Sequence, residues 1–208
     1  MEQYEDEVMY KVLVVGDIGV GKTSFIKKYV HNVFSIHYKS TIGVDFALKV
    51  LHFEPNIQVR LQLWDVAGQE RFSNMIRSYF HGAHCAIIFF DMTRMTTFDA
   101  VKKWKADIEC KTTLNDKLIP TILIANKVDL IDENGDEWEK TDKELDDFCQ
   151  QYGFLAWFKT SVKNNVNIET AMNYLVNHLL NHTPLIKVEP KPEVIQLLDI
   201  EDQSTCYC

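Results

Sequence analysis

The segment Gly16-Asp17-Ile18-Gly19-Val20-Gly21-Lys22-Thr23 constrains this chain more than any other stretch. Its spacing, glycine, four residues, then Gly-Lys-Thr, is that of a P-loop. The flanks supply the setting such a loop needs. An apolar, β-prone run over residues 10–15 leads in, and a helix-forming run over 23–31 leads away. In a strand–loop–helix unit, glycines let backbone N–H groups turn inward and cradle phosphate oxygens. The helix N-terminus adds a favourable dipole for the anion. Lys22 can reach β- and γ-phosphates, and the Thr23 hydroxyl can ligate Mg²⁺. All eight residues, with Ser24 after them, are candidate phosphate-binding positions. Alone, the loop specifies no base.

Apolar β-branched runs alternate with helical patterns along the rest of the chain. That implies an α/β domain around a mostly parallel sheet. Strands are expected at 10–15, 44–53, 57–64, 83–90, 118–125 and 155–159. Glu54-Pro55-Asn56 reads as a turn, so the second and third strands should form an antiparallel hairpin. Helices are expected at 23–31, 74–81, from Thr97 as N-cap to about 110, at 143–152 with Gly153 as the C′ residue, and at 167–182. Residues 131–141 are acidic and turn-rich and read as a loop. Residues 1–8 read as an acidic N-terminal extension and 9–182 as the nucleotide-binding domain. Pro184, Pro190 and Pro192 mark 183–208 as a flexible tail.

Composition excludes several classes. The 208 residues carry 22 basic and 30 acidic side chains, a net charge of -8, which argues against a nucleic-acid surface. No apolar run is long enough for a membrane-spanning helix. The acidic N-terminus lacks an apolar signal region, and Glu2 is not the glycine that myristoylation requires. A cytosolic chain is expected. Cys85, Cys110 and Cys149 lack metal spacing and read as reduced thiols, buried in part.

Phosphate chemistry needs a second metal ligand, and the base needs a reader. Leu61-Gln62-Leu63-Trp64-Asp65 ends a strand in a carboxylate, placing Asp65 as a metal-side residue. It continues as Val66-Ala67-Gly68-Gln69. Gly68 can offer an N–H to a γ-phosphate with no side chain in the way. Gln69, the catalytic candidate, can accept from and donate to an attacking water. Asn126-Lys127-Val128-Asp129 follows a buried strand, at the edge where open α/β sheets bind ligands. The two oxygens of Asp129 match the N1–H and N2–H₂ of guanine and match nothing on adenine. Asn126 can donate toward the base or tether the P-loop, and the Lys127 stem can lie on the ring. The pattern points to GTP and GDP.

In this order the elements resemble the Ras-like small GTPases, and within them the Rab proteins, over residues 9–182 and again at the tail. The Rab-type segments are Ile42-Gly43-Val44-Asp45-Phe46, Leu61-Gln62-Leu63-Trp64, Gln69-Glu70-Arg71-Phe72 and Tyr79-Phe80-His81-Gly82-Ala83. Thr160-Ser161-Val162-Lys163 resembles the family's last guanine-binding loop, with Val162 where alanine is usual. The resemblance implies a P-loop NTPase small G domain, a six-stranded sheet flanked by helices. It implies that Thr41 ligates Mg²⁺ and meets the γ-phosphate, and that Phe34 stacks on the guanine edge. It further implies that Phe46, Trp64 and Tyr79, with Ile42, Gly43 and Phe72, face effectors. Ile18 in the P-loop, Val66, and Ala47-Leu48-Lys49-Val50 resemble the Rabs of lysosome-related organelles.

The tail has a net charge of 2 − 5 = −3 over residues 183–208, so no polybasic membrane anchor is expected. Cys206-Tyr207-Cys208 resembles the Cys-x-Cys end that Rab proteins geranylgeranylate twice, and two chains make membrane binding stable. The expected protein is a monomeric switch that hydrolyses GTP slowly with Mg²⁺. Its expected partners are an exchange factor, a GTPase-activating protein, Rab escort protein, GDP-dissociation inhibitor and effectors. It would cycle between cytosol and the cytoplasmic face of endosomes, lysosome-related organelles or the trans-Golgi, serving vesicle trafficking. A second reading is a GTP-held effector-binding module with negligible turnover, motivated by the bulk of Ile18 near the γ-phosphate. A third, a P-loop kinase, gives no reason for Asp129 or the tail cysteines.

Overall fold

A computed structural model describes residues 6–37, 39–53, 57–69, 76–112, 117–134 and 140–182. Thirteen elements follow in order: β1 (Asp6–Gly16), α1 (Lys22–His31), β2 (Val44–Phe53), β3 (Ile57–Val66), α2 (Ile76–Phe80), β4 (Cys85–Asp91), α3 (Met95–Asp99), α4 (Val101–Lys111), β5 (Thr121–Asn126), α5 (Val128–Asn134), α6 (Asp142–Gln151), β6 (Trp157–Thr160) and α7 (Ile168–His182). The sheet runs β2-β3-β1-β4-β5-β6. Only the β2–β3 pair is antiparallel, with Phe46 opposite Trp64 and Asp45 opposite Asp65.

Alternation along β1 builds both faces of the core. Val8, Tyr10, Val12 and Val14 pack with Phe25, Ile26 and Tyr29 of α1 and Met172, Leu175 and Leu179 of α7. Leu13 and Val15 point the other way, among Phe98, Trp104, Ile108 and Phe148. With helices on both faces, β4 and β5 are buried at every position. That is why they read as continuous apolar runs. The crossovers bring Gly16, Asp91, Asn126 and Thr160 to one edge of the sheet, at the C-terminal ends of four parallel strands.

Several local expectations need correction. Strand β1 begins at Asp6, inside the stretch read as an extension, because it pairs with β3 from Asp6↔Ile57 onward. Thr97 is not an N-cap. Helix α3 starts at Met95 behind Arg94, and the buried Thr97 hydroxyl donates to the Arg94 carbonyl at 2.7 Å and accepts from Asp91 N at 3.0 Å. It closes the β4–α3 turn instead. Residues 131–141 are not all loop. Helix α5 covers Val128–Asn134, where Val128 and Ile131 pack against the core and override the acidic composition. The N-terminus of α6 carries a reciprocal cap between Thr141 and Glu144. Gly153 does sit past its end at φ +65°. Cys85 and Cys149 are buried and Cys110 is exposed, all three free. Among the described residues no helix is long and apolar enough to cross a membrane.

Candidate nucleotide-binding site

The P-loop is tethered by side chains from β5, from α4 and from α1. Asn126, buried at the end of β5, donates through Nδ2 to the Val20 carbonyl at 2.8 Å and accepts from Thr160 Oγ1 at 3.0 Å. Of the two roles open to Asn126, the tether is the one formed here. Gly21 has φ +101°, and a Cβ there would lie 2.3 Å from Asn126 Nδ2, so the tether excludes a side chain. Asp17 Oδ1 accepts from Trp104 Nε1 of α4 at 2.9 Å. Lys22 folds back over the loop, donating to the Gly16 and Asp17 carbonyls at 2.7 and 3.0 Å. Burial pulls its pKa down to about 8, with the Asp65 and Asp17 carboxylates acting in the opposite direction.

The three residues expected at the metal lie together. Thr23 Oγ1 donates to Asp65 Oδ2 at 2.5 Å and stands 2.8 Å from Thr41 Oγ1. Thr41 Oγ1 lies 3.5 Å from the same carboxylate oxygen. Asp65 Oδ1 is buried with no hydrogen-bond partner. Burial raises the Asp65 pKa, against the Thr23 hydrogen bond and the charge of Lys22. Two hydroxyls and a buried carboxylate with a free oxygen fit Mg²⁺, which takes few protein oxygens and completes its shell with water and phosphate.

A cavity of about 520 Å³ opens beside this cluster. Ile18, Gly19, Gly21, Lys22, Thr23 and Ser24 form its floor, and Phe34, Thr41, Gly68, Gln69 and Lys127 its walls. Its size suits a small-molecule ligand. Phe34 is 38% exposed, so it is not a core residue. Gly68 packs directly on the P-loop, where an added Cβ would lie 2.5 Å from Ile18 N. The neighbouring Ala67 N donates to the Gly43 carbonyl at 3.0 Å, joining the two loops. Ile18, 49% exposed, borders the same space as the exposed Gln69.

The base-side residues sit at the ends of β5 and β6. Asp129, buried in the first turn of α5, accepts from Ser161 Oγ at 2.5 Å, and Ser161 Oγ accepts from Asn164 N at 3.0 Å. Lys127 takes φ +70°, and its Nζ donates to Asp91 Oδ2 at 2.6 Å. Val162 turns its side chain into the core beside α7, which accommodates its extra bulk. Lys163 is exposed. Asp129, Ser161, Val162 and Lys163 do not wall the cavity, since Asp129 and Ser161 are closed on each other.

On the β2–β3 hairpin Phe46 is 66% exposed, and Ile42, in the loop before β2, is 84% exposed. Core packing therefore does not explain Phe46. Trp64 lies half-buried beside it, ring centroids 6.5 Å apart, with Lys11 Nζ 3.8 Å above the indole. Tyr79, on α2, is half-buried against the core. Gly43 holds φ +71°. Phe72, Cys206 and Cys208 lie outside the described residues. Sequence reasoning missed Asp91, Arg94 and Trp104, and named Thr160 only as the start of the last guanine-binding loop. The one available signal was a carboxylate ending the apolar run of β4.

A phosphate-loop cavity, an oxygen cluster at its mouth and two loops resting on it define a nucleotide switch. The chain belongs to the Ras family, whose model matches residues 11–181. It is 54% identical over 200 residues to Ras-related protein Rab-32A of Dictyostelium discoideum, covering 95% of this chain and 90% of that one. It is 49% identical over 206 residues to Ras-related protein Rab-32 of Homo sapiens, covering 96% and 90%. To Ras-related protein Rab-7L1 of Rattus norvegicus it is 48% identical over 176 residues, covering 84% of each. It is a Rab-type small GTPase, a GTP hydrolase that acts as a switch in membrane trafficking.

Proposed function

We propose that the cavity holds GTP with its γ-phosphate between Lys22, Thr41 and Gly68 and its guanine against Phe34 and Lys127, and that Asp129 turns from Ser161 to the guanine edge when the base is bound. The observation that carries this reading is the meeting of Thr23, Thr41 and Asp65 at the mouth of a cavity that Gly68 and Gln69 also line. Those residues come from α1, the loop before β2 and β3, and they bring two hydroxyls and a carboxylate to one point beside the cavity. Mg²⁺, when bound, neutralises charge on the phosphate oxygens.

Lys22 and the P-loop N–H groups hold the phosphates. Gln69 orients a water in line with the γ-phosphorus by accepting one hydrogen bond and donating another. The water oxygen bonds to phosphorus as the bridge to the β-phosphate breaks, the bond pair leaves on GDP, and the water's proton stays with the released phosphate. Thr41 and Gly68 then lose their common anchor and the two loops separate. Because Ala67 and Gly43 are hydrogen-bonded, that release reaches Ile42 and Phe46 directly.

The Rab-32 and Rab-7L1 relatives support the branch expected from Ile18 and an endomembrane location; in this reading the compartment is endosomal, trans-Golgi or lysosome-related. In this reading Cys206 and Cys208 carry two prenyl groups, delivered with an escort protein and extracted by a GDP-dissociation inhibitor. Residues 183–208 link the G domain to that anchor, and the G domain acts as a monomer. Effector capture by Thr23→Asn and Gln69→Leu proteins tests the switch. Loss in the first and retention in the second is expected, and equal capture contradicts it. Cytosolic location of a Cys206→Ser/Cys208→Ser protein tests the anchor.

A further inference from the structure

Asp91 ends the central strand β4 with a carboxylate that is 1% exposed and fully engaged. Oδ1 accepts from Thr93 N at 3.0 Å and from Thr93 Oγ1 at 2.7 Å. Oδ2 accepts from two cations, Lys127 Nζ at 2.6 Å and Arg94 Nε at 2.9 Å. Arg94 does not stop there. Its Nη2 donates to the Ile18 carbonyl at 2.9 Å, across the outside of the P-loop turn, and lies 3.5 Å from where a Gly19 Cβ would be. One oxygen atom thus joins the lysine of the base-side loop to the P-loop turn beside Gln69. Nothing in phosphate binding or hydrolysis as described above uses Asp91 or Arg94.

We infer that Asp91 is a positioning residue for nucleotide retention: through Lys127 and Arg94 it locks the base-side loop and the P-loop turn to each other, so that neither opens alone. The inference rests on the assignment of Lys127 to the guanine side. The chemistry requires a carboxylate at this position. A carboxamide of nearly the same volume would present its NH₂ either to the two donors of Thr93 or to the two cations, and one side would be left facing donors. Lys127 also needs the hold. It sits at φ +70°, a conformation that costs a non-glycine residue free energy, and its pairing with Asp91 is what fixes the side chain. Burial alone would lift the Asp91 pKa, yet Lys127 and Thr93 keep it below the usual carboxylate range, so the anion persists at neutral pH.

Release of a fluorescent GDP from the full chain in Mg²⁺ buffer, chased with excess GDP, tests this. Asp91→Asn should accelerate release about ten- to a hundredfold, the range for a lost hydrogen bond to a charged group. Arg94 is 44% exposed, so Arg94→Gln should fold normally and melt as wild type under saturating GDP. It should nevertheless release GDP several-fold faster. In the Asp91→Asn background Arg94→Gln should add nothing, an outcome that a merely structural contribution from each residue does not produce. Unchanged release in either single variant, or effects that multiply, would overturn the inference. Should Asp91→Asn fail to fold, Arg94→Gln combined with Lys127→Met carries the test. Coupled effects support the shared carboxylate and multiplicative effects refute it. Asp129→Asn is measured alongside for base preference. If that preference stays with guanine, the base-side assignment falls, whatever Asp91 does. If it shifts while Asp91→Asn releases GDP normally, the positioning role alone falls.

Discussion

Lys22 offers a prediction with a sign and a size. Burial pulls its pKa down to about 8, from an ordinary lysine value of about 10.4, and the Asp65 and Asp17 carboxylates only partly oppose that pull. The unfolded chain therefore holds this proton more tightly than the folded one between those two values. Over that window the contribution of Lys22 makes the folded protein more stable as pH rises. It relieves a burial penalty on the order of 3 kcal/mol. Bound polyphosphate reverses the position by supplying negative charge at the amine. Nucleotide binding should accordingly take up roughly half a proton at pH 8 and about a tenth at pH 7. Affinity should fall about tenfold per pH unit above pH 8 from this group. Titration calorimetry on nucleotide-free protein, in two buffers of different ionisation enthalpy, reads the proton count. Lys22→Arg should abolish the uptake, since arginine stays charged. No uptake at pH 8, or the same uptake in Lys22→Arg, would refute the reasoning.

Three further outcomes follow from the geometry. Asp129→Asn should weaken GTP and shift preference toward xanthine nucleotides, whose 2-carbonyl accepts from the new amide; competition among GTP, XTP and ATP measures it. Gly68→Ala places a methyl 2.5 Å from Ile18 N, so it should leave GDP binding within a few-fold while abolishing effector capture in the GTP state. Ile18→Ser should raise single-turnover hydrolysis, with or without an activating protein, because it empties space that Gln69 and an incoming arginine share. An unchanged or lower rate would mean that the site is built around the aliphatic side chain.

What the sequence disclosed and what it concealed differ by physical cause. The P-loop, Asp65, Gly68 and Asn126 were legible because each chemistry demands a residue type at a fixed spacing. The β2–β3 hairpin was legible because alternation and a turn point the same way. The helix at Val128–Asn134 was hidden because its apolar contacts, Val128 and Ile131, sit in an acidic run whose local preference is for a turn. Thr97 was misplaced because a hydroxyl near a helix start caps as readily as it bonds back, and the choice depends on where β4 ends. The Asp91–Arg94–Ile18 connection spans 76 positions in its last step and was out of reach of any local pattern. So was the grip of Trp104 on Asp17, 87 positions away.

The central claim is that Gln69, in the wall of this cavity, is what makes the bound nucleotide turn over. Phosphate release from a single turnover of preloaded GTP, wild type against Gln69→Leu, tests it directly. The account predicts slow but complete hydrolysis by the wild type, accelerated by a Rab-type activating protein. It predicts at least a tenfold loss in Gln69→Leu, with GTP affinity unchanged, in line with the positioning role of such a glutamine. Equal rates for the two proteins, with GTP bound equally well, would contradict it.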